Sequence, residues 1–185
     1  APTSTTICAN ANTSFTSTNN VTGENIQWQV STNGGGTWTN LSNVAPYSGV
    51  NSTILSITGA TAAMNAYQYH AVVTLNGCTV TSANAVLTVN PAPTIGVSGN
   101  QTICSGQNTV LSASGATTYT WTPGGSTGSS VTVAPGTSQN YTVTGTAASC
   151  TASATYSITV NPTPTVAITG TQTICSGNAT TLTAG

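Results

Sequence analysis

Lysine, arginine and aspartate are absent from the 185 residues, and Glu24 and His70 are the only acidic residue and the only histidine. Each absence removes a class of function. Nucleic-acid binding neutralises phosphates with Lys or Arg, and a polybasic membrane site needs the same residues. A lysine–asparagine isopeptide staple has no lysine to use, and trypsin has no bond to cut. A glycosidase needs two carboxylates, where this chain has one. A Ser-His-acid triad could draw only on His70 and Glu24. His70 stands in Tyr69-His70-Ala71, out of phase with the expected core face, and is predicted to point to solvent. Calcium prefers several carboxylates, and no Cys-x-x-Cys pair offers zinc a site. The sequence therefore predicts no enzyme, no cofactor and no metal. No apolar run approaches the ~18–20 residues of a membrane span, so no membrane insertion is expected. No signal peptide is visible, which reads as a mature or internal segment.

What remains is polar, uncharged and rich in β-formers. Charged residues are 1% of the chain and mean hydropathy is +0.09. Disorder usually joins low hydrophobicity to high net charge; neither holds here. Roughly a third of the residues are Ser or Thr, above ordinary usage. Five cysteines (Cys8, Cys78, Cys104, Cys150 and Cys175) are widely spaced, a pattern that suits long-range disulfides and an oxidising, extracellular compartment.

Internal repetition organises the chain. Residues 91–113 read PAPTIGVSGNQTICSGQNTVLSA and residues 162–184 read PTPTVAITGTQTICSGNATTLTA, offset by 71 residues. A looser echo opens the chain at Ala1-Pro2-Thr3 and Thr6-Ile7-Cys8. The boundaries carry similar punctuation, Leu87-Thr-Val-Asn-Pro-Ala-Pro-Thr and Ile158-Thr-Val-Asn-Pro-Thr-Pro-Thr. Proline fixes φ and biases its predecessor toward extended geometry, so short, semi-rigid linkers are expected. Three modules follow: 1–90, 91–161, and 162–185 as the first two strands of an incomplete third.

Short Val, Ile, Thr and Tyr runs bounded by Gly, Asn, Ser and Pro read as strands. They are predicted near 12–18, 25–32, 36–41, 52–58, 67–75 and 79–89 in the first module. In the second they fall near 94–98, 109–114, 117–122, 130–134, 140–146 and 151–160. Turn signals every 8–12 residues argue for an all-β fold of tandem sandwiches. Thr61-Ala-Ala-Met64 reads as one helical turn.

The first module resembles an immunoglobulin-type domain. Trp28, in Ile26-Gln-Trp-Gln-Val, matches the core tryptophan of the third strand. Tyr69, in Asn65-Ala-Tyr-Gln-Tyr-His-Ala71, matches the tyrosine corner. The positions of the usual inter-sheet disulfide fall on Phe15 and Ala71, a large ring and a small methyl that could fill its volume. Trp28 through Leu41, Tyr47-Ser-Gly and Tyr67-Gln-Tyr together resemble Ig-like repeats of large secreted proteins of Bacteroidetes-type bacteria. Gln101-Thr-Ile-Cys-Ser-Gly, Tyr119-Thr-Trp-Thr-Pro-Gly-Gly, Asn140-Tyr-Thr-Val and Asn161-Pro resemble the PKD-like repeats that accompany them. Such repeats occur in adhesins, filaments and the stalks of secreted enzymes. Pro123-Gly-Gly stands where PKD-like domains often carry acidic turns, which speaks against calcium.

On that module plan, Cys8 and Cys104 precede the second strands, and Cys78 and Cys150 lie between the last two. Cys8–Cys78 and Cys104–Cys150 are the predicted disulfides. Cys175 is the equivalent of Cys104 and is left unpaired, its partner expected about 46 residues further on by analogy with Cys104–Cys150. Trp28, Tyr69 and Trp121 are the expected core aromatics; of Tyr119 and Trp121, one is expected inside, and Trp121 is the choice. Trp38 and Tyr47 are candidate sugar contacts, with local packing beside the Trp28 hairpin as the plainer alternative. Asn-x-Ser/Thr sequons occur at Asn12, Asn20, Asn40, Asn51, Asn100, Asn140 and Asn178, and bacterial glycans could equally sit on Ser or Thr.

Sandwich edges are usually guarded by lysine or other charges, which this chain lacks. Either glycans cover the edges or neighbours pair with them. The broken third module has two readings: a longer chain completes it, or a neighbouring chain does so by strand addition. The expected role is structural, a cell-surface or extracellular fibre subunit or adhesin stalk, self-associating or continued by further repeats. The alternative is a polysaccharide-binding accessory module of a secreted bacterial enzyme or adhesin.

Overall fold

In a computed structural model, which describes residues 1–18, 23–171 and 173–184, the chain is all-β apart from one 3₁₀ turn, Ala62–Met64. Residues 1–95, with 115–119 and 144–153, form one compact unit; 96–114, 120–143 and 154–185 form the other.

The first unit holds a sandwich of two sheets. Strands β1 (Thr5–Cys8), β3 (Asn25–Ser31), β4 (Thr39–Asn40), β7 (Gln68–Leu75), β8 (Cys78–Thr81) and β9 (Ala85–Asn90) form a six-stranded sheet. Its order is β1-β9-β7-β3-β4, with β8 also on β7. Strands β2 (Thr13–Thr16), β5 (Tyr47–Ser48) and β6 (Ile54–Ile57) form the second sheet, in the order β2-β6-β5. Alternation puts every second residue on the inner face. Phe15, Trp28, Leu55, Ile57, Tyr69, Ala71 and Leu87 are all at most 1% exposed and form one cluster. The Trp28 indole N–H is not left orphaned: it donates to the Ser52 carbonyl at 2.9 Å.

The second unit is built on β10 (Gly96–Ser98), β12 (Thr109–Ser114) and β14 (Ser130–Val133), in the order β10-β12-β14. Facing strands are β11 (Thr102–Cys104), β13 (Thr118–Thr122), β15 (Gln139–Ala147) and β16 (Cys150–Asn161), in the order β11-β16-β15-β13. Ile103, Leu111, Trp121, Val133, Tyr141, Val143 and Ile158 are buried. Trp121 repeats the solution found at Trp28, with its indole N–H donating to the Gly128 carbonyl at 3.0 Å. Strands β17 (Ile168–Thr169) and β18 (Thr183–Ala184) pair with each other, and Val166, Ile168, Ile174 and Leu182 stay 74%, 66%, 47% and 58% exposed.

The predicted strands recur with shifts of one to three residues at most ends, and three features differ. The 79–89 run is interrupted and gives β8 and β9. Three short strands, β1, β5 and β11, carry no local pattern long enough to read. Two of them are parallel partners of distant strands: Thr6-Ile7-Cys8 lies beside Thr88-Val89-Asn90, and Thr102-Ile103-Cys104 beside Thr159-Val160-Asn161. Tyr119 and Trp121 are both buried, at 8% and 0% exposure. Residues two apart on a strand share a face, so choosing one of the pair as the inward residue was the wrong expectation.

Candidate functional site

The disulfide is not one of the predicted pairs. Cys8 bonds to Cys150, across a sequence separation of 142 residues, and Cys78, Cys104 and Cys175 are free thiols. The reason is the direction of the strands. Cys104 lies beside Asn161 at the end of β16 and Cys150 begins that strand. At about 3.3 Å per residue, the ends of this strand are roughly 35 Å apart, beyond the reach of a disulfide. Cys78 faces Leu75 at the far end of β7, whereas Cys8 lies beside Asn90, beyond the β7–β9 pairing at Gln68–Val86. The two cysteines of each predicted pair thus lie at opposite ends of the strands that carry them. Equivalent positions in the two parallel ladders were the available signal, but Thr-Ile-Cys is too short to declare itself a strand.

The clasp in the first unit is more than the S–S bond. The turn before β16 is Ala148-Ser149, with φ of 49° and 64°, the left-handed pair of a type I′ hairpin. Asn90 donates from Nδ2 to the Ala148 carbonyl at 3.1 Å. The sulfur of Cys8 lies 3.7 Å from the Ser149 carbonyl oxygen, and that of Cys150 lies 3.8 Å from the Asn90 oxygen. Oxidised sulfur carries no proton, so these are close contacts rather than hydrogen bonds. Ala9 N–H donates to the Asn90 carbonyl at 2.8 Å, which holds the end of β9 beside Cys8. Ile95 sits against Gly145, where an added Cβ would collide with its side chain. Cys150 is consequently 1% exposed.

A second cluster lies around His70. The Trp38 ring stacks on His70 with centroids 3.6 Å apart. His70 Nε2 lies 2.7 Å from the Gln29 side-chain oxygen and Nδ1 lies 3.2 Å from that of Asn84. Gln29 donates onward to Asn40, and Asn84 to Gln68. His70 is 6% exposed, which corrects the expectation that it faces bulk solvent. It does point away from the core, but Trp38 and the amides roof it over. Burial is the main cause that lowers its pKa, partly opposed by the Asn84 contact. Glu24 is elsewhere, beside Val73 and Cys78, so no acid supports the imidazole.

The two candidate sugar contacts belong to different sheets. Trp38 precedes β4, whereas Tyr47 is on β5. Tyr47 packs against the core, its hydroxyl 3.3 Å from that of Tyr69. Burial is the main cause that raises the pKa of both phenols. Phe15, at one of the two positions where Ig-type domains carry a cystine, stacks on Tyr69 with centroids 4.9 Å apart. Among the described residues no group of three His, Cys, Asp or Glu side chains converges to hold a metal, and no helix is long and apolar enough to cross a membrane. The sequon residues Asn12, Asn40, Asn51, Asn100, Asn140 and Asn178 are exposed, and Asn20 lies outside the described residues.

No protein-family model and no curated protein matches the chain in sequence. Solved structures of tandem Ig domains resemble it in shape. The N-terminal four Ig domains of Dscam1 isoform 6.9 align at TM-score 0.45 and 14% identity, over 86% of this chain and 43% of that one. Isoform 4.4 aligns at 0.44 and 15%, over 87% and 43%. The N-terminal eight Ig domains of Down Syndrome Cell Adhesion Molecule isoform 1.30.30 align at 0.42 and 14%, over 92% and 26%. The chain thus spans less than half the length of these structures. At this level of similarity the likeness adds nothing to what the sheets themselves establish.

Proposed function

We propose that this chain is a structural element of an extracellular or cell-surface assembly, a fibre subunit or adhesin stalk of tandem Ig-like and PKD-like modules bounded near residues 90 and 161. The observation that carries this reading is the Cys8–Cys150 clasp with its Asn90–Ala148 hydrogen bond. It spends a covalent bond on holding β1 against a hairpin tip from the next repeat, which is useful to a tensioned scaffold and irrelevant to turnover. The lack of paired carboxylates, cationic side chains and a partnered histidine acid agrees with it. Exposed Val166, Ile168 and Leu182 support self-association or continuation into further repeats, and the exposed sequons leave room for covalent glycans.

Electron microscopy of the native material tests the reading. Elongated polymers or stalks are expected; isolated short particles with no polymer would sink the fibre form of the proposal.

One observation favours a second reading, polysaccharide binding. Trp38 is half-buried on a surface rich in amides from Gln29, Gln68 and Asn84, and aromatic faces flanked by amides suit sugar rings. A glycan array with Trp38→Ala as control decides it: binding lost on substitution supports this reading, and an array with no binding removes it.

A further inference from the structure

Both kinds of position joined in the Cys8–Cys150 bond recur in the chain with a free thiol. Cys78 follows the turn Asn76-Gly77, with φ of 49° and 82°, as Cys150 follows Ala148-Ser149, with φ of 49° and 64°. Cys104 lies beside Asn161 in the register in which Cys8 lies beside Asn90. Ser105 N–H donates to the Asn161 carbonyl at 2.8 Å, as Ala9 N–H does to Asn90 at 2.8 Å. Where Cys150 is covered, Cys78 is exposed, and it opens on a groove of about 430 Å³ lined by Val73, Leu75, Val80, Asn76 and Glu24. Val80 there is 69% exposed. Val166 occupies the place after its Pro-x-Pro segment that Ile95 holds in the preceding repeat, and it is 74% exposed.

We propose that Cys78 forms a disulfide with Cys104 of a second copy of this chain, its hairpin tip seated on that copy's Asn161. The Cys8–Cys150 bond shows the same two kinds of position joined. Cys104 is the chosen partner because its strand is paired with β16, whereas Cys175, which matches it in sequence, lies in no described strand. Val73 stands where Gly145 admits Ile95, and Val166 of the incoming copy lacks the isoleucine Cδ1 that a Cβ at this position would meet first. Each free thiol sits at the end of its own strands away from the clasp: Cys78 faces Leu75 at the far end of β7, and Cys104 lies beside Asn161, at the other end of β16 from Cys150. Chemically, two thiols lose two protons and two electrons to make one S–S bond. A low-molecular-weight disulfide accepts both and leaves as two thiols. The inference rests on the self-association reading above and names its covalent contact.

The test mixes whole chain grown on light and on heavy nitrogen, reduces it, and reoxidises it with glutathione disulfide. Peptic peptides are then read by mass spectrometry, since trypsin cannot cut. The expected product is a Cys78–Cys104 peptide pair carrying one light and one heavy partner. Cys78→Ser and Cys104→Ser each abolish the covalent ladder on a non-reducing gel, and Cys175→Ser leaves it intact. Recovery of Cys78 as a free thiol, as a glutathione adduct, or joined to Cys8 or Cys175 overturns the proposal. Fibres seen by microscopy with Cys78 free would overturn this bond and leave the structural reading standing. Covalent dimers with no elongated material would do the reverse.

Discussion

Trp28 stands directly opposite Ala71 on the β3–β7 ladder. The largest side chain of the first core thus faces one of the smallest, at a position where Ig-type domains carry half of a cystine. Both are 0% exposed. Phe15 stacks on Tyr69 in the same buried cluster.

Trp28→Ala should therefore destabilise the protein by about 3–5 kcal/mol, the usual range for deleting a buried aromatic ring. Urea unfolding followed by tyrosine fluorescence measures it. A loss under ~1 kcal/mol would show that the site collapses or that the ring is not central.

Reduction, or Cys8→Ser, removes the 142-residue closure. The chain-entropy relation gives a loss of about 5 kcal/mol for a loop of this length, before native-state relaxation. The urea midpoint should fall on adding reductant, and Cys8→Ser should be insensitive to that addition. Equal midpoints with and without reductant in the unsubstituted chain would contradict the clasp.

Ala148 and Ser149 hold positive φ angles of 49° and 64° without being glycine. Left-handed backbone costs about 1–2 kcal/mol for such residues. Replacing the turn by that of the first hairpin, Ala148→Asn with Ser149→Gly, should stabilise the chain by about 1 kcal/mol. Thermal unfolding reads the gain; a lower midpoint would mean that the Ser149 side chain matters to the clasp.

His70 supplies a pH dependence with a definite sign. Its folded pKa lies below the ordinary value of 6.5, chiefly through burial. The folded state therefore disfavours the proton relative to the unfolded chain. The contribution is complete above about pH 6.5 and is lost as pH falls through that value toward the folded pKa. Stability measured from pH 7.5 to 5 should decline, and His70→Gln should flatten the decline. A profile that is unchanged in the variant would place the titration elsewhere.

The all-β fold and most strands were legible because a 2-residue alternation bounded by turn residues is a local signal. Trp28 and Tyr69 follow from the Ig-type resemblance rather than from phase, and phase was misread at Tyr119, which shares the inward face with Trp121. The disulfide partner was not legible, because it depends on parallel pairing between residues over 80 positions apart, as at Cys8 and Asn90. The roof over His70 was missed for a related reason: phase tells which face a residue occupies, but not whether Trp38 from the β3–β4 connection comes back to cover it.

The Cys8–Cys150 bond also sets a path for mechanical load. Tension applied at the two ends enters at residues 1–8, crosses the sulfur bridge, and leaves from Cys150. Residues 9–149 hang off that path as a slack loop, so their strands need not resist shear while the bridge is oxidised. Pulled under reducing conditions, the same molecule would release that hidden length, which makes the redox state of one bond the setting of its extensibility.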